Sequence, residues 1–191
     1  MKSLKWLVPL VLLLSLIACA KPPQAEIDAA KAQVAKAAQD PDVVAYAPDT
    51  LKRAEDALSK MEAELAAKHY DKVKSFAAEA QAAATAAFAD AKSGKERVKT
   101  QAESLIAAAR KALPDAEKAF ASAKKVRGIK LDAAAVSKGL AESKTALADA
   151  DKAYASGDFL GAKTKAEALQ AKIADLVKAV SDAVQAATRK K

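Results

Sequence analysis

Alanine supplies 53 of the 191 residues, and this excess limits the possible folds more than any other feature of the sequence. Alanine is the strongest helix former, whereas the β-branched and aromatic residues that favour strands are few. Alanine and larger apolar residues also recur at alternating spacings of three and four, the pattern of packed helices. The sequence therefore predicts an all-α fold, specifically an elongated antiparallel helical bundle or coiled coil.

The first 18 residues have the layout of a secretory signal peptide, with a basic start followed by an apolar run over residues 6–18. This run is shorter than the roughly 20 apolar residues that a membrane-spanning helix needs. It ends in Leu16-Ile17-Ala18-Cys19, which resembles the lipobox of bacterial lipoproteins. The resemblance implies cleavage between Ala18 and Cys19 and a diacylglycerol on the Cys19 thiol. An ordinary signal peptide and an uncleaved anchor are the alternatives.

Processing at this point would leave a chain that starts at Cys19, has no free thiol and carries a covalent lipid as its only cofactor. Two or three acyl chains hold a protein on a membrane much more firmly than one. The next residue is Ala20, not the Asp that resembles an inner-membrane retention signal in enteric lipoproteins. The family pattern therefore implies the periplasmic face of the outer membrane, with inner-membrane retention as the alternative. Residues 19–24, which include two prolines, are expected to form a short tether.

The remaining sequence predicts two related helical units. Shifted by 89 residues, the sequence matches itself, and the matched pairs are Ala30 and Ala119, Leu51 and Leu140, Leu58 and Leu147, Glu62 and Asp151, Tyr70 and Phe159, and Lys74 and Lys163. We predict one three-helix unit over residues 25–112, a second over 113–188 and a basic tail at 189–191. The units are expected to share a long central helix from about residue 71 to 111. Pro114 is expected to kink that helix or to start a new one.

Apolar stripes define the expected cores. In the first unit they comprise Ile27, Ala30, Val34, Ala37, Leu51, Ala54, Leu58, Met61, Leu65, Val73, Ala77, Ala80, Ala84, Ala87 and Ala91. In the second unit they comprise Ala119, Ala123, Val126, Val136, Leu140, Ser143, Leu147, Ala150, Tyr154, Phe159, Ala162, Ala166, Leu169, Ile173, Leu176, Val180, Val184 and Ala187. Alanine buries little area, so the first unit is expected to be the looser one.

The lipobox, the alanine stripes and the corner Gly157-Asp158-Phe159 together resemble an alanine-rich helical domain of unknown function found in proteobacterial envelope lipoproteins. That resemblance implies no activity. The composition also argues against an enzyme, since one His and one Cys cannot form a His/Cys metal cluster and no phosphate-binding loop occurs. His69 lies at a predicted helix corner, where capping or exposure is expected. We predict no catalytic residue and no metal site.

Positive charge is concentrated in one segment. The net charge is −3 over residues 19–91, +7 over 92–130 and +2 over 131–191, counted from the printed sequence. One interpretation is a solvated helix face; the other is contact with an anionic surface or an acidic protein. The residues proposed for that contact are Lys124, Lys125, Arg127 and Lys130. Nucleic acid is not expected as a partner, because aromatic residues do not accompany these cations.

The terminal run Thr188-Arg189-Lys190-Lys191 resembles the basic end of Braun-type murein lipoproteins, which implies covalent attachment of Lys191 to peptidoglycan. A basic last turn also complements the helix dipole, which is the alternative interpretation. The leading functional hypothesis is a membrane-anchored, non-enzymatic scaffold that contacts an envelope protein or an anionic surface. The alternatives are a chaperone-like module for an apolar ligand or client, and a peptidoglycan-linked tether. Self-association could supplement the thin core.

Overall fold

The computed structural model describes residues 21–189, and within that range the chain forms helices and no strand. The six helices are α1 Gln24–Gln39, α2 Pro41–Tyr46, α3 Pro48–Ala66, α4 Tyr70–Ala123, α5 Ala133–Ala155 and α6 Phe159–Thr188. The predicted all-α class is confirmed. The predictions for Ala18, Cys19 and Lys191 concern residues outside the described range.

The described residues divide into two compact units, 21–92 and 93–189. Unit 1 contains α1, α2, α3 and the first part of α4. Unit 2 contains the remainder of α4 together with α5 and α6. Helix α4 is continuous across the boundary, so the same helix contributes to both cores.

Unit 1 packs around small side chains. The whole predicted stripe of α4, from Val73 to Ala91, is buried, and five of its six residues are Ala. Larger buried groups come from Ile27 and Val34 of α1 and from Met61 of α3. Small side chains let helices approach closely but remove little apolar area from water, so each contact stabilises weakly.

Unit 2 has the larger core side chains, as the sequence predicts. Leu169 and Ile173 of α6 are 1% and 3% exposed, and Leu140 of α5 is 5% exposed. Phe120 near the end of α4 joins this core although the predicted stripe did not include it. Predicted local signals are also present, since Asp132 caps α5 by accepting a hydrogen bond from the Ala135 N–H at 2.9 Å.

Pro114 does not interrupt α4, contrary to the expectation of a new helix at that point. The helix runs unbroken for 54 residues, so the central helix is longer than predicted. Proline removes the N–H that would bond to the Arg110 carbonyl. Leu113 and Ala116 lie on either side of the proline and are both buried in the unit 2 core. Tertiary packing on both sides therefore holds the helix together where local chemistry alone predicts a break.

The two helix corners have the same backbone hydrogen bonds. In the first, the Lys68 N–H donates to the Leu65 carbonyl at 3.0 Å and the His69 N–H to the Glu64 carbonyl at 2.9 Å. The second corner, residues 153–158, makes the same two bonds 89 positions later, at 3.1 and 3.0 Å. This pair of bonds is the Schellman motif that ends many helices. The 89-residue repeat is thus confirmed through the corner and the helices on both sides of it.

The motif requires one left-handed residue, and the two corners provide it differently. Lys68 has a φ of 60° and Gly157 a φ of 84°. A residue with a Cβ pays about 1–2 kcal/mol in this region, and glycine does not. The first corner is therefore locally strained and the second is not.

Replacing Lys68 by Gly is expected to raise the free energy of unfolding by about 1 kcal/mol. The opposite change, Gly157→Ala, is expected to lower it by a similar amount. An added Cβ at Gly157 would have no neighbour within 4 Å, so only backbone strain acts. Guanidinium unfolding followed by circular dichroism measures both changes. A lower stability of the Lys68→Gly variant would contradict this account.

The first helix of each unit repeats at a different spacing, which corrects the predicted match of Ala30 with Ala119. Ala30 instead corresponds to Ala109, 79 positions later, since both occupy the same place in their cores. The buried residues of α1 are Ile27, Ala30, Val34 and Ala37, and those at the 79-residue offset are Ile106, Ala109, Leu113 and Ala116, all buried. The second unit therefore has ten more residues than unit 1 between its first and second helices.

Ion pairs support the same correspondence. In unit 1, Lys31 of the first helix pairs with Glu62 of the second at 2.9 Å. In unit 2, Arg110 pairs with Asp151 at 2.7 Å. Arg110 is 79 positions after Lys31 and Asp151 is 89 positions after Glu62. Matching cores and matching ion pairs thus agree on both offsets.

Candidate functional surfaces

The turn between α4 and α5, residues 124–132, alternates apolar and basic side chains. Ile129 and Leu131 pack against the unit 2 core. The side chains between and before them, Lys125, Arg127 and Lys130, are exposed. Backbone bonds fix the turn, including the Val126 N–H to Ala123 O bond of 2.9 Å. The packed apolar residues therefore present the cations to solvent on a defined backbone.

These cations are not neutralised within the chain. Lys125, Arg127 and Lys130 form no ion pair with any residue of the described range. Lys124 lies with its Nζ 5.0 Å from the centre of the Phe120 ring, a cation–π contact. The structure thus brings together all four residues that the sequence singled out for an anionic surface.

The end of α6 lies at the same level as this turn. The Gln170 side chain donates to the Leu105 carbonyl at 3.0 Å, which fixes the relative position of α6 and α4. Because α5 runs antiparallel to both, α4 and α6 run in the same direction. Ala123 ends α4 18 residues beyond Leu105, and Thr188 ends α6 18 residues beyond Gln170. At about 1.5 Å per residue the two helices end together.

Arg189 follows the end of α6 directly and is exposed. We call the five residues Lys124, Lys125, Arg127, Lys130 and Arg189 the basic end of unit 2. Asp132 is the only carboxylate in the turn and the adjoining last or first helical turns of residues 119–137 and 183–189. The sequence assigned Arg189 to a separate basic tail, because nothing local relates it to a turn some 60 residues earlier.

The equivalent connection in unit 1 has the opposite charge. Residues 40–47, which join α1 to α3, contain Asp40 and Asp42 and no cation. Asp40 caps α2 by accepting hydrogen bonds from the N–H groups of Asp42 and Val43, at 2.9 and 3.0 Å. The fold of a unit therefore does not require a basic connection at this place.

His69 lies at the first corner and contacts a carboxylate. Its Nδ1 is 2.5 Å from Glu64 Oε2, and Lys72 donates to the other carboxylate oxygen at 3.1 Å. These hydrogen bonds, from His69 first and then from Lys72, hold the pKa of the Glu64 carboxyl below its ordinary value. The His69 side chain does not cap α4, whereas Asp158 at the equivalent position of the second corner accepts from the Gly161 N–H at 2.8 Å. His69 serves the corner as a partner of Glu64.

A shallow groove of about 440 Å³ lies between α3 and α4 in unit 1. Its polar wall includes Thr50, which donates to Asp90 at 2.6 Å and accepts from Arg53 at 3.0 Å. Alanines form its floor, and charges of both signs, including Asp56 and Lys60, line its edge. Mixed charge on an open alanine surface gives no selective chemistry.

A second groove, of about 330 Å³, lies between α4 and α6 in unit 2. It is lined mainly by apolar side chains, among them Ala112, Ala174 and Val177. At the equivalent place in unit 1, Gln33 and Thr85 approach to 3.4 Å and form a weak hydrogen bond. The exchange of this polar pair for two alanines makes the unit 2 groove the more apolar of the two.

Two general features complete the description. Over residues 21–189, no group of three or more His, Cys, Asp and Glu side chains is arranged to hold a metal ion. None of the helices in that range is at once long and apolar enough to cross a membrane.

Comparison with protein families gives one match. Residues 25–105 match a family described as Domain of unknown function (DUF4398). The match covers α1, α2, α3 and the α4 segment through Leu105, which is the full three-helix set of unit 1. It supports the predicted domain of unknown function for these residues, and its description names no activity, ligand or anchor. Comparisons with curated proteins and with solved structures found no match.

The DUF4398 match ends where the second copy begins. Residue 25 corresponds to residue 104 at the 79-residue offset of the first helices. The two copies therefore follow each other directly within α4, with no linker between them. The sequence could not show this because alanine stripes match one another at many spacings.

Proposed function

We propose that this chain is a lipid-anchored lipoprotein of the bacterial envelope that acts as a non-enzymatic structural or interaction scaffold. The observation that carries the proposal is the run Leu16-Ile17-Ala18-Cys19 at the end of a short apolar segment. Lipid on Cys19 would place the helical units at a membrane surface, and Ala20 favours the periplasmic face of the outer membrane.

The described helices support a scaffold over a carrier or an enzyme. The grooves of both units are shallow and open to solvent, whereas small-molecule sites are usually enclosed. The His69 ring bonds to Glu64 instead of facing a cleft with a nucleophile. What both units offer instead is helix surface and charged connections, which suit contact with larger partners.

The anchor is tested by replacing Cys19 with Ala in cells fed an alkyne-tagged fatty acid. The wild-type chain is expected to take up the label and to remain with membranes after a carbonate wash. The Cys19→Ala variant is expected to lose all label, because the acyl chain has no thiol to attach to. Ser15→Ala, within the same apolar run, is the matched control and should retain the label. Label on the Cys19→Ala variant would contradict the proposal.

The scaffold role is tested by in-cell crosslinking of the wild-type chain followed by mass spectrometry. Recurrent crosslinks to one envelope protein or to peptidoglycan would support it. Crosslinks to lipid alone would contradict it.

A further inference from the structure

We propose that the basic end of unit 2 docks on the anionic phosphate headgroups of a membrane. The inference rests on the proposed envelope location for its setting, since a chain anchored by lipid has a phosphate-bearing surface as its nearest neighbour. Its physical argument comes from unit 2 alone.

The first step is charge density. Five exposed cations lie around the level ends of α4 and α6, and Asp132 is the one carboxylate among them. Asp132 is already engaged, since its side chain accepts from the Ala135 N–H. Lys125, Arg127 and Lys130 have no acidic partner in the described range.

The second step concerns the helix dipoles. The carboxyl ends of α4 and α6 and the amino end of α5 meet here, and each contributes a partial charge of about half an elementary charge. Two negative ends and one positive end leave about −0.5 in total. Four net positive charges therefore exceed by far what dipole compensation requires.

The third step is the comparison between the copies. The connection at residues 40–47 occupies the same place in unit 1, is acidic and caps its helix. Since that unit forms the same three-helix arrangement without any cation there, the positive charge of residues 124–130 has no required part in folding. It is available for a partner, and a partner for clustered Lys and Arg on a fixed turn is a dense array of anions.

The fourth step selects the anion. The turn has no concave pocket that would enclose a small ion, and its cations point outward from packed apolar residues. A planar array of headgroups can meet all of them at once. Each Lys or Arg near such a surface is expected to strengthen binding about fivefold.

The test is co-sedimentation of the unacylated mature chain, residues 20–191, which contains all six helices. Vesicles contain phosphatidylglycerol and phosphatidylcholine, or phosphatidylcholine alone, in physiological salt. Replacing Lys124, Lys125, Arg127 and Lys130 with Gln is expected to weaken binding to the anionic vesicles by about 100-fold or more. Arg189→Gln alone is expected to weaken it about fivefold.

The matched control replaces four exposed cations from other places, Lys52, Lys74, Lys152 and Lys165, with Gln. It has the same net charge as the first variant and should bind within about threefold of the wild type, because distant charges are screened beyond about 8 Å. Circular dichroism should show equal helicity in every variant. An equal loss in both four-residue variants, or no loss in the first, would overturn the proposal.

Two further arms separate other anions. Inorganic phosphate at a few millimolar should leave vesicle binding unchanged, and complete displacement would overturn membrane docking in favour of a small-ion site. Binding to purified peptidoglycan without binding to vesicles would also overturn it. Because the chain used here is not acylated, these results are independent of the outcome of the Cys19→Ala experiment.

Discussion

Replacing Leu169 with Ala is expected to lower the free energy of unfolding by about 2–5 kcal/mol. Leu169 is 1% exposed and lies in α6 among the largest side chains of unit 2, including Ile173 and Leu140. Truncation removes buried apolar surface and leaves a cavity that rigid helices fill only in part. Guanidinium unfolding of the unacylated mature chain, followed by circular dichroism, gives the difference.

Leu160 provides the control for this change, because it lies on the same helix and is 38% exposed. Leu160→Ala is expected to cost less than about 1 kcal/mol. A Leu169→Ala variant that is no less stable than Leu160→Ala would show that the unit 2 core does not depend on α6 in the way the buried areas indicate.

The second large effect is expected from Ala80→Leu, which reproduces in unit 1 the residue present at the matching position of unit 2. Ala80 is 0% exposed, and Leu169 is its counterpart 89 positions later. The helices of unit 1 pack on a nearly continuous alanine stripe, so the added carbons must push neighbouring side chains or backbone apart. Overpacking of this kind is expected to destabilise the protein by about 1–3 kcal/mol.

Ala78→Leu is the matched control for this substitution. Ala78 lies on the same helix and is exposed, and both residue types favour helix. Its effect should be within about 0.5 kcal/mol. If Ala80→Leu instead stabilised the protein, the alanine stripe would contain unused space, and the close approach of the unit 1 helices would be wrong.

The cores were largely predictable from the sequence because helix period is a local property. Each residue of the stripe from Val73 to Ala91 is buried, and the stripe through Leu169, Ile173 and Val180 is buried as well. Asp132 and Asp158 act as caps because a carboxylate before a helix can accept from its first free N–H groups. These features depend on neighbours within a few residues.

The features that the sequence did not predict depend on contacts between distant residues. Pro114 remains inside α4 because Leu113 and Ala116 pack against other helices. The correspondence of Ala30 with Ala109 emerged only from matching cores and ion pairs, since an alanine stripe matches another at any spacing of three or four. Charge alone identified Lys124 to Lys130, whereas the position of Arg189 beside them follows from the Gln170 contact with Leu105.

Domains usually meet at an exposed loop, but in this chain the third helix of one copy continues as the first helix of the next. A junction of this type has a consequence for how such proteins lengthen. Adding one complete copy takes only two new helices, since the existing last helix already provides the third. A gene that encodes one DUF4398-like bundle can therefore acquire a second by an insertion shorter than a domain, and selection can then change the charge of one connection while the other copy keeps its own.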